Sequence, residues 1–210
     1  MIEFRKIYLS FNGNSVIDNL SMKIDEGDKV VISGKSGSGK SSLLSLALGF
    51  VKPDDGQVYF EGLPVDEKTS WNVRRKIAYI DQDVSLGSGR VSKLFEFAAG
   101  LKANAHLDFG CSEELINFFE LEPSILQKSI QELSGGERQR ISIIIAVLLN
   151  RNIFFLDEIT SSLDKHLKNK VADYFLNREN VTSLIVSHDP VWTEVPSVRI
   201  FDFEEKTWQQ

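Results

Sequence analysis

Eight residues near the beginning of the chain have the types and spacing of a phosphate-binding loop. The run Gly34-Lys35-Ser36-Gly37-Ser38-Gly39-Lys40-Ser41 matches the pattern G-x-x-x-x-G-K-[ST] at every position. Its glycines let the backbone turn N–H groups towards phosphate oxygens, and the helix predicted to follow adds its positive N-terminal end. Lys40 supplies a positive charge to the outer phosphates, and the Ser41 hydroxyl is a ligand for Mg²⁺. We therefore predict a nucleoside triphosphate site here, in preference to an ordinary Gly/Ser-rich turn.

A second chemical feature is an apolar strand that ends in two carboxylates. The run Ile153-Phe154-Phe155-Leu156 is followed directly by Asp157 and Glu158. Ligands bind at the carboxyl ends of parallel strands, so we expect these acids to lie beside the phosphate loop. We predict that Asp157 binds Mg²⁺, mostly through water, and that Glu158 is the general base that polarises the attacking water. Taken alone, the pair fits a charged turn after a strand equally well.

A third motif, Leu133-Ser134-Gly135-Gly136-Glu137-Arg138-Gln139-Arg140, lies between these two. A hydroxyl, two glycines and a predicted helix N-terminus make a good phosphate site. A capping box formed by Ser134 and Glu137 also accounts for a helix start here, but not for the two glycines. The motif resembles the signature of the ATP-binding-cassette (ABC) ATPases, in which it likewise lies between the phosphate loop and the acidic strand. The resemblance covers essentially the whole chain and implies that the nucleotide is ATP.

The resemblance also implies roles for residues outside these motifs. Phe11 resembles the aromatic residue that stacks on adenine, with Tyr8 as a nearby alternative. Gln82 resembles the glutamine that touches Mg²⁺ and the attacking water, although Asp81 stands where many relatives have proline.

Two later positions complete the set. Asp164, which ends the run Ser161-Ser162-Leu163-Asp164, resembles the acid of a loop that reaches the opposite subunit. His188 resembles the histidine that contacts the γ-phosphate. The expected catalytic residues are thus Lys40, Gln82, Glu158 and His188. The expected Mg²⁺ ligands are Ser41, Gln82 and Asp157. The expected ATP contacts are Phe11, Gly34, Lys35, Ser36, Gly37, Ser38, Gly39, Lys40, Ser41, Ser42, Ser134, Gly135, Gly136 and Asp164.

The elements that must position these residues follow from the hydrophobic pattern. Alternating or continuous apolar runs predict strands over residues 2–11, 16–24, 29–33, 57–61, 76–80, 152–156, 183–186 and, as the last strand, 198–203. Helical spacing predicts helices over residues 41–49, 137–149 and 164–177, and a helical segment from about 86 to 130. Apolar strands that alternate with helices indicate a parallel sheet covered on both faces.

We therefore predict one α/β domain of the P-loop NTPase type, with a mixed and mainly parallel β core and an antiparallel β subdomain. Residues 1–84 and 131–210 are expected to form the ATP-binding core, and residues 85–130 an inserted helical subdomain. Val91, Leu94, Phe95 and Phe97 lie soon after Gln82. These apolar residues either receive a short helix of a membrane subunit or form the core of the helical subdomain.

The composition of the chain excludes some classes of partner and of covalent cross-link. The net charge of −6 excludes a strongly basic protein held on nucleic acid by its overall charge, so we expect no nucleic-acid partner. The most apolar stretch, residues 141–149, is far shorter than the roughly 20 residues that cross a bilayer. We expect any membrane contact to be made through a partner protein. The single cysteine, Cys111, excludes intramolecular disulfides and suits a reducing cytosol.

The resemblance implies an ATP-hydrolysing subunit of an ABC transporter. Such a subunit would dimerise head-to-tail around two Mg-ATP with a second copy or a paralogous cassette, and would drive an integral membrane subunit from the cytoplasmic face of the membrane. The sequence around the signature and acidic strand is most similar to small bacterial cassettes of iron or metal export. The alternatives are an ABC ATPase of DNA repair or ribosomes, which usually has a long coiled-coil insertion or two cassettes, and a module without catalysis, against which Gln82, Glu158 and His188 argue.

Overall fold

The smaller of two sheets is antiparallel. The computed structural model describes residues 1–101, 104 and 112–209. The strands of this sheet are β1 (Ile2–Phe11), β2 (Asn14–Ile24), β4 (Asp55–Phe60) and β5 (Leu63–Pro64), in the order β2-β1-β4-β5. In β1, Ile2, Phe4, Ile7 and Leu9 are buried. The apolar pattern therefore predicted β1, β2 and β4, with small differences at the ends of β2 and β4.

The larger sheet is mainly parallel and contains the centre of the fold. Its strands are β3 (Lys29–Ser33), β6 (Ile77–Ile80), β7 (Ile153–Asp157), β8 (Thr182–Val186), β9 (Arg199–Asp202) and β10 (Thr207–Trp208). The order is β10-β9-β3-β8-β7-β6, with only the edge strand β10 antiparallel to its neighbour. Every side chain of β7 and β8 is buried, which explains why these strands are continuous apolar runs in the sequence.

Helices cover both faces of the larger sheet. They are α1 (Lys40–Ala47), α2 (Ser70–Lys76), α3 (Val91–Gly100), α4 (Ser112–Phe118), α5 (Gly135–Leu148) and α6 (Lys165–Leu176). Val30 and Ile32 of β3 join a core cluster with α1 and the antiparallel sheet. Val31 of the same strand joins a second cluster with α3, α4, α5 and α6. The predicted two-sided covering of the sheet is confirmed.

Between α3 and α5, the described residues form α4 and short 3₁₀ turns at Pro123–Gln127 and Ile130–Glu132, in line with the predicted helical segment. Val91 and Phe95 are buried in the core cluster with α5, so the docking hypothesis is wrong for these two side chains. Leu94 is half-buried and Phe97 is 67% exposed. The expected 85–130 subdomain includes residues 102, 103 and 105–111, which lie outside the described residues. Cys111 is one of them.

Among the helices and strands named above, α2, β5 and β10 were not predicted. In α2 only Ser70 and Val73 are buried, so the segment has too few apolar positions to show a helical period. The strand predicted over 198–203 is β9, but it is not the last strand. Two more residues, Thr207 and Trp208, pair with Asp202 and Phe201, and it is this pairing that forms β10.

Candidate functional site

The phosphate loop follows β3 and continues into the first two residues of α1, Lys40 and Ser41. Gly37 and Gly39 have φ values of +76° and +107°, which side-chain-bearing residues rarely adopt. Gly39 is also crowded, because a Cβ there would lie 2.3 Å from Cγ1 of Val16 in β2. The β1–β2 hairpin therefore contacts the loop directly. Backbone conformation alone explains Gly37, whose Cβ position is open, whereas conformation and the close approach of Val16 both explain Gly39.

Lys40 is the buried cation of this loop, with only 5% of its surface exposed. Its Nζ donates hydrogen bonds to the carbonyl oxygens of Gly34 (2.7 Å) and Lys35 (2.6 Å), and it lies 3.2 Å from Nε2 of His188. Burial lowers the pKa of Lys40, while the charges of Glu158 and Asp157 raise it. The ammonium group is thus held at the loop, beside the acidic end of β7.

Asp157, the last residue of β7, has the features of a metal ligand. It is 1% exposed, and its Oδ1 has no hydrogen-bond partner among the residues that the structure describes. Burial raises the pKa of Asp157, a hydrogen bond with the Ser41 side chain lowers it, and the charge of Asp81 raises it further. A buried carboxylate oxygen without a partner, next to a hydroxyl, is the kind of hard oxygen donor set that Mg²⁺ takes. The residues present therefore fit this ion.

Glu158 lies between the strand end and His188. Its backbone N–H donates to the carbonyl of Val186 (2.8 Å), and its φ of +48° costs a non-glycine residue about 1 kcal/mol or more. Its Oε1 is 3.4 Å from Nε2 of His188. The structure thus brings Lys40, Glu158 and His188 together, and the backbone at Glu158 is held in a conformation that directs its carboxylate to this group.

The signature motif begins α5 with a capping box, as its sequence indicates. The Ser134 Oγ accepts the N–H of Glu137 (3.2 Å), and Glu137 Oε2 accepts the N–H of Ser134 (2.8 Å). A Cβ at Gly136 would lie 3.1 Å from the carbonyl oxygen of Ser162, so packing explains this glycine. A Cβ at Gly135 would meet Ser162 only at an ordinary 3.8 Å. Packing therefore leaves the exposed Gly135 unexplained.

Three expected site residues lie apart from the Lys40 group. Gln82 is exposed just beyond β6 and lines a surface groove with Gly135 and Ser162. Asp164 is the N-cap of α6, and its Oδ1 accepts the N–H of Leu167 (3.0 Å). Within the described ranges, no hydrogen bond or ion pair joins Gln82, Ser134 or Asp164 to Lys40, Glu158 or His188.

The two candidate adenine-stacking residues differ in environment. Phe11 is 44% exposed at the end of β1 and pairs with Asn14, two residues before the valine that touches Gly39. Tyr8 is half-buried in a shallow groove with Asp55 and Gln57. An exposed ring on the hairpin that contacts the phosphate loop favours Phe11.

Sequence reasoning missed Glu204, which also contacts the loop. Its Oε1 accepts the backbone N–H of Lys35 (2.8 Å), and its Oε2 lies 3.3 Å from Lys35 Nζ. No spacing pattern marks this residue. The order of the sheet is the signal that would have found it, because β9 lies beside β3 with Asp202 opposite Ser33, and both strands end at the same edge.

No helix in the described part of the chain is both long and apolar enough to cross a membrane.

Comparison with known proteins gives consistent matches. The family described as "ABC transporter" matches residues 17–161. The protein named "Probable iron export ATP-binding protein FetA" of Escherichia coli is 33% identical over 177 residues, which are 83% of this chain and 78% of that protein. The "ATP-dependent lipid A-core flippase" of Aromatoleum aromaticum is 32% identical over 89% of this chain, which spans only 33% of that protein. The dimeric structure of a bacterial ABC transporter cassette has a TM-score of 0.77 at 25% identity, over 97% of this chain and 94% of that one.

Proposed function

Because the chain belongs to the ABC transporter family and is an ATPase, we propose that it is a transporter subunit that hydrolyses ATP between two cassettes and moves a separate membrane subunit. The contact group of Lys40, Glu158 and His188 at the carboxyl ends of the parallel strands carries this proposal. It contains a cation for phosphate oxygens, a carboxylate for a water molecule and a histidine that touches both.

The proposed reaction needs positioning and charge stabilisation more than covalent chemistry. The N–H groups of the loop, the N-terminus of α1 and Lys40 hold the β- and γ-phosphates of ATP. Glu158 takes a proton from water as the water oxygen bonds to the γ-phosphorus. The bond from that phosphorus to the bridging oxygen breaks, and ADP leaves with this oxygen. His188 contacts the γ-phosphate and keeps Glu158 in place.

Mg²⁺ would be held by Ser41, Asp157 and Gln82, the last of these after movement of its exposed loop. When bound, Mg²⁺ supplies positive charge to the β- and γ-phosphate oxygens. Phe11 stacks on adenine. The exposed ring of Phe11 and the Oδ1 of Asp157, which has no partner in the part of the chain that the structure describes, support these roles.

We place the second half of each site on another chain. Ser134 and Gly135 are exposed at the N-terminus of α5, where an anion is favoured, and packing leaves Gly135 unexplained. A head-to-tail dimer with a second copy, or with a paralogous cassette, would set this N-terminus and Asp164 against the ATP of the partner. The similarity to a cassette solved as a dimer supports this arrangement.

The membrane partner and the cargo belong to the same proposal. Residues 1–84 and 131–210 would form the ATP-binding core, and residues 85–130 the helical subdomain that passes its motion to an integral membrane subunit at the inner face of the membrane. The relative named for iron export makes iron or another metal ion the first cargo to test. The protein named as a lipid A-core flippase is 32% identical to this chain, close to the value for the iron-export relative. Sequence similarity of the cassette therefore does not by itself identify the cargo.

Mixing two inactive variants tests the two-chain site. Lys40→Ala removes the phosphate cation, and Ser134→Arg blocks the signature with a bulky charge. In a mixed dimer one site has both pieces intact and the other has both lesions, so ATPase activity should recover in part. Each variant alone, at the same total concentration, is the matched control. Absence of recovery, in variants shown by melting curves to be folded, would refute the shared site.

A further inference from the structure

A carboxylate from the turn between β9 and β10 is bound to the first residue after Gly34 in the phosphate loop. Glu204 accepts the backbone N–H of Lys35 through Oε1 (2.8 Å), and its Oε2 lies 3.3 Å from the Lys35 ammonium. The hydrogen bond from the Lys35 backbone is the first cause that lowers the pKa of Glu204, followed by that from the Lys35 side chain. The contact is therefore made by a charged group at neutral pH.

The turn that carries Glu204 is itself fixed in place. Asp202 Oδ1 accepts the N–H groups of Glu204 (2.9 Å) and Glu205 (3.0 Å). The N–H of Phe203 donates to the carbonyl of Ser33 (2.9 Å), at the end of β3. The Phe203 side chain is 5% exposed and lies under the loop, where a Cβ at Gly34 would come within 3.2 Å of it.

Glu204 is connected to Lys40 through one peptide unit. The N–H that it accepts belongs to the peptide between Gly34 and Lys35. The carbonyl oxygen of that same peptide accepts the hydrogen bond from Lys40 Nζ (2.7 Å). Since a peptide unit is planar, holding its N–H end fixes the direction of its carbonyl end. Rotation of this peptide would move the carbonyl away from the Lys40 ammonium.

The negative charge of Glu204 has two opposite effects at the phosphate loop. A carboxylate close to a phosphate-binding loop repels the phosphates of ATP. A neutral acceptor would avoid this repulsion, yet the side chain present is a carboxylate, which makes the stronger, charge-assisted hydrogen bond.

We propose that Glu204 is a positioning residue for ATP binding, which orients the Gly34–Lys35 peptide and thereby holds Lys40 in the phosphate loop. The inference rests on the proposed ATP site and adds to it a residue outside the motifs. The role needs an acceptor oxygen. The negative charge strengthens the hydrogen bond but repels phosphate, so these two effects of the charge oppose each other.

Three variants separate the acceptor oxygen from the charge. We expect Glu204→Ala to raise the Kd and KM for ATP about tenfold, with kcat changed less than about twofold, because a charge-assisted hydrogen bond to the loop is lost. Glu204→Gln keeps an acceptor oxygen and should bind ATP within about twofold of the wild type. Glu205→Ala removes a carboxylate from the same turn and is the matched control, with an unchanged Kd.

A second set of variants distinguishes the contact of Glu204 with the Lys35 backbone N–H from its contact with the Lys35 ammonium group. Lys35→Ala keeps the N–H and removes Nζ. Adding Glu204→Ala to this variant should still raise the Kd of ATP about tenfold, because the peptide contact is the one that matters. If Glu204→Ala no longer raises the Kd of ATP in the Lys35→Ala variant, the ion pair between Glu204 and the Lys35 ammonium accounts for the effect, and the proposal is overturned.

Binding of ATP by calorimetry, with steady-state ATPase kinetics and melting curves, distinguishes the remaining outcomes. If Glu204→Ala and Glu204→Gln both bind ATP more tightly, the carboxylate only repels phosphate and the proposal is wrong. A lower Tm with unchanged Kd and KM would overturn it as a merely structural contact. If the wild type binds ATP better than Lys40→Ala does, but Glu204→Ala matches the wild type, this inference alone fails. If the wild type and Lys40→Ala bind ATP equally weakly, the proposed ATP site fails with it.

Discussion

At the scale of single residues, the two carboxylates at the end of β7 have different environments. Asp157 is almost fully buried, with one oxygen that has no partner among the described residues, and burial raises its pKa. Glu158 is half-buried and lies against His188. Adjacent acids in contrasting surroundings suit different roles. The geometry favours Asp157 for metal binding and Glu158 for proton transfer.

Glu158→Gln should separate ATP binding from hydrolysis. The amide keeps the size of the side chain but takes no proton, so the turnover rate should fall about 10²–10⁴-fold. ATP binding should persist, since a negative charge near the γ-phosphate is removed. Steady-state ATPase rates and calorimetry measure the two effects.

Glu61→Gln is the matched control for this substitution. Glu61 also has a positive φ (+52°), and its carboxylate pairs with Lys76 away from the site. The Glu61→Gln variant should have an unchanged turnover rate. Near-normal turnover of Glu158→Gln would remove Glu158 from the role of general base.

Three of the residues that the sequence identified share a property that Glu204 lacks. Lys40, Glu158 and Ser134 lie in short motifs, where several residue types must occur together within one segment. Glu204 acts on a backbone N–H of a segment far away in the sequence. Any acceptor of suitable length could make such a contact, so it leaves no pattern in the chain.

At the scale of elements, the start of α5 combines two requirements. The capping box of Ser134 and Glu137 begins the helix, and Gly136 allows the carbonyl of Ser162 to come close. Gly135 serves neither of these purposes. We therefore expect its function to be revealed by a substitution that leaves the helix intact.

Gly135→Ala should lower activity without loss of stability. Alanine forms helix better than glycine, by up to about 1 kcal/mol, and its Cβ has room, so the Tm should stay the same or rise slightly. ATPase activity should fall at least about tenfold, because the methyl group would stand between the helix N-terminus and the partner's ATP. Melting curves and ATPase rates measured on the same preparation test this expectation.

Gly100→Ala is the control for the general effect of replacing a glycine in a helix by alanine. Gly100 belongs to α3, and a Cβ there meets nothing within 4 Å. This variant should keep full activity. If Gly135→Ala does so too, the exposed end of α5 is not a phosphate site.

The strands were more predictable than the shortest elements. β3, β7 and β8 are buried on both faces, and such strands appear as apolar runs. β10 exists through its pairing with β9, a contact that two residues cannot signal by their types alone. Similarly, whether Phe95 faced a partner or the core depended on its place in the core cluster that also contains residues of α4, α5 and α6, which the spacing within α3 does not encode.

At the scale of the whole molecule, the two proposed phosphate sites are separate within one chain. The phosphate loop is in contact with Glu158 and His188 through Lys40, whereas the exposed N-terminus of α5 is not connected to this group within the described residues. If two chains complete each site, ATP lies in the interface. ATP is itself an anion, so it does not offset the repulsion between two subunits that each carry a net charge of −6. It would join them through local contacts, with Lys40 of one chain and the exposed N-terminus of α5 of the other.

Specific activity should therefore depend on protein concentration. At saturating ATP and Mg²⁺, dilution should lower the turnover per chain once the concentration falls below the dissociation constant of the dimer. A covalently linked tandem of two copies is the control, and its turnover per chain should stay constant on dilution. Constant turnover of the unlinked chain over the same dilution series, while it elutes as a monomer in gel filtration with ATP, would leave a self-sufficient monomer.

The position of Phe203 and Glu204 beneath the phosphate loop has a consequence for the order of events during synthesis. The loop is translated early, but the side chains that pack under it and bind its backbone are translated late, after β8 and β9. A nascent chain therefore carries the whole motif long before it carries the support for that motif. If Glu204 orients the loop as proposed, ATP reaches its full affinity only once β9 lies beside β3, so tight nucleotide binding marks a completed fold.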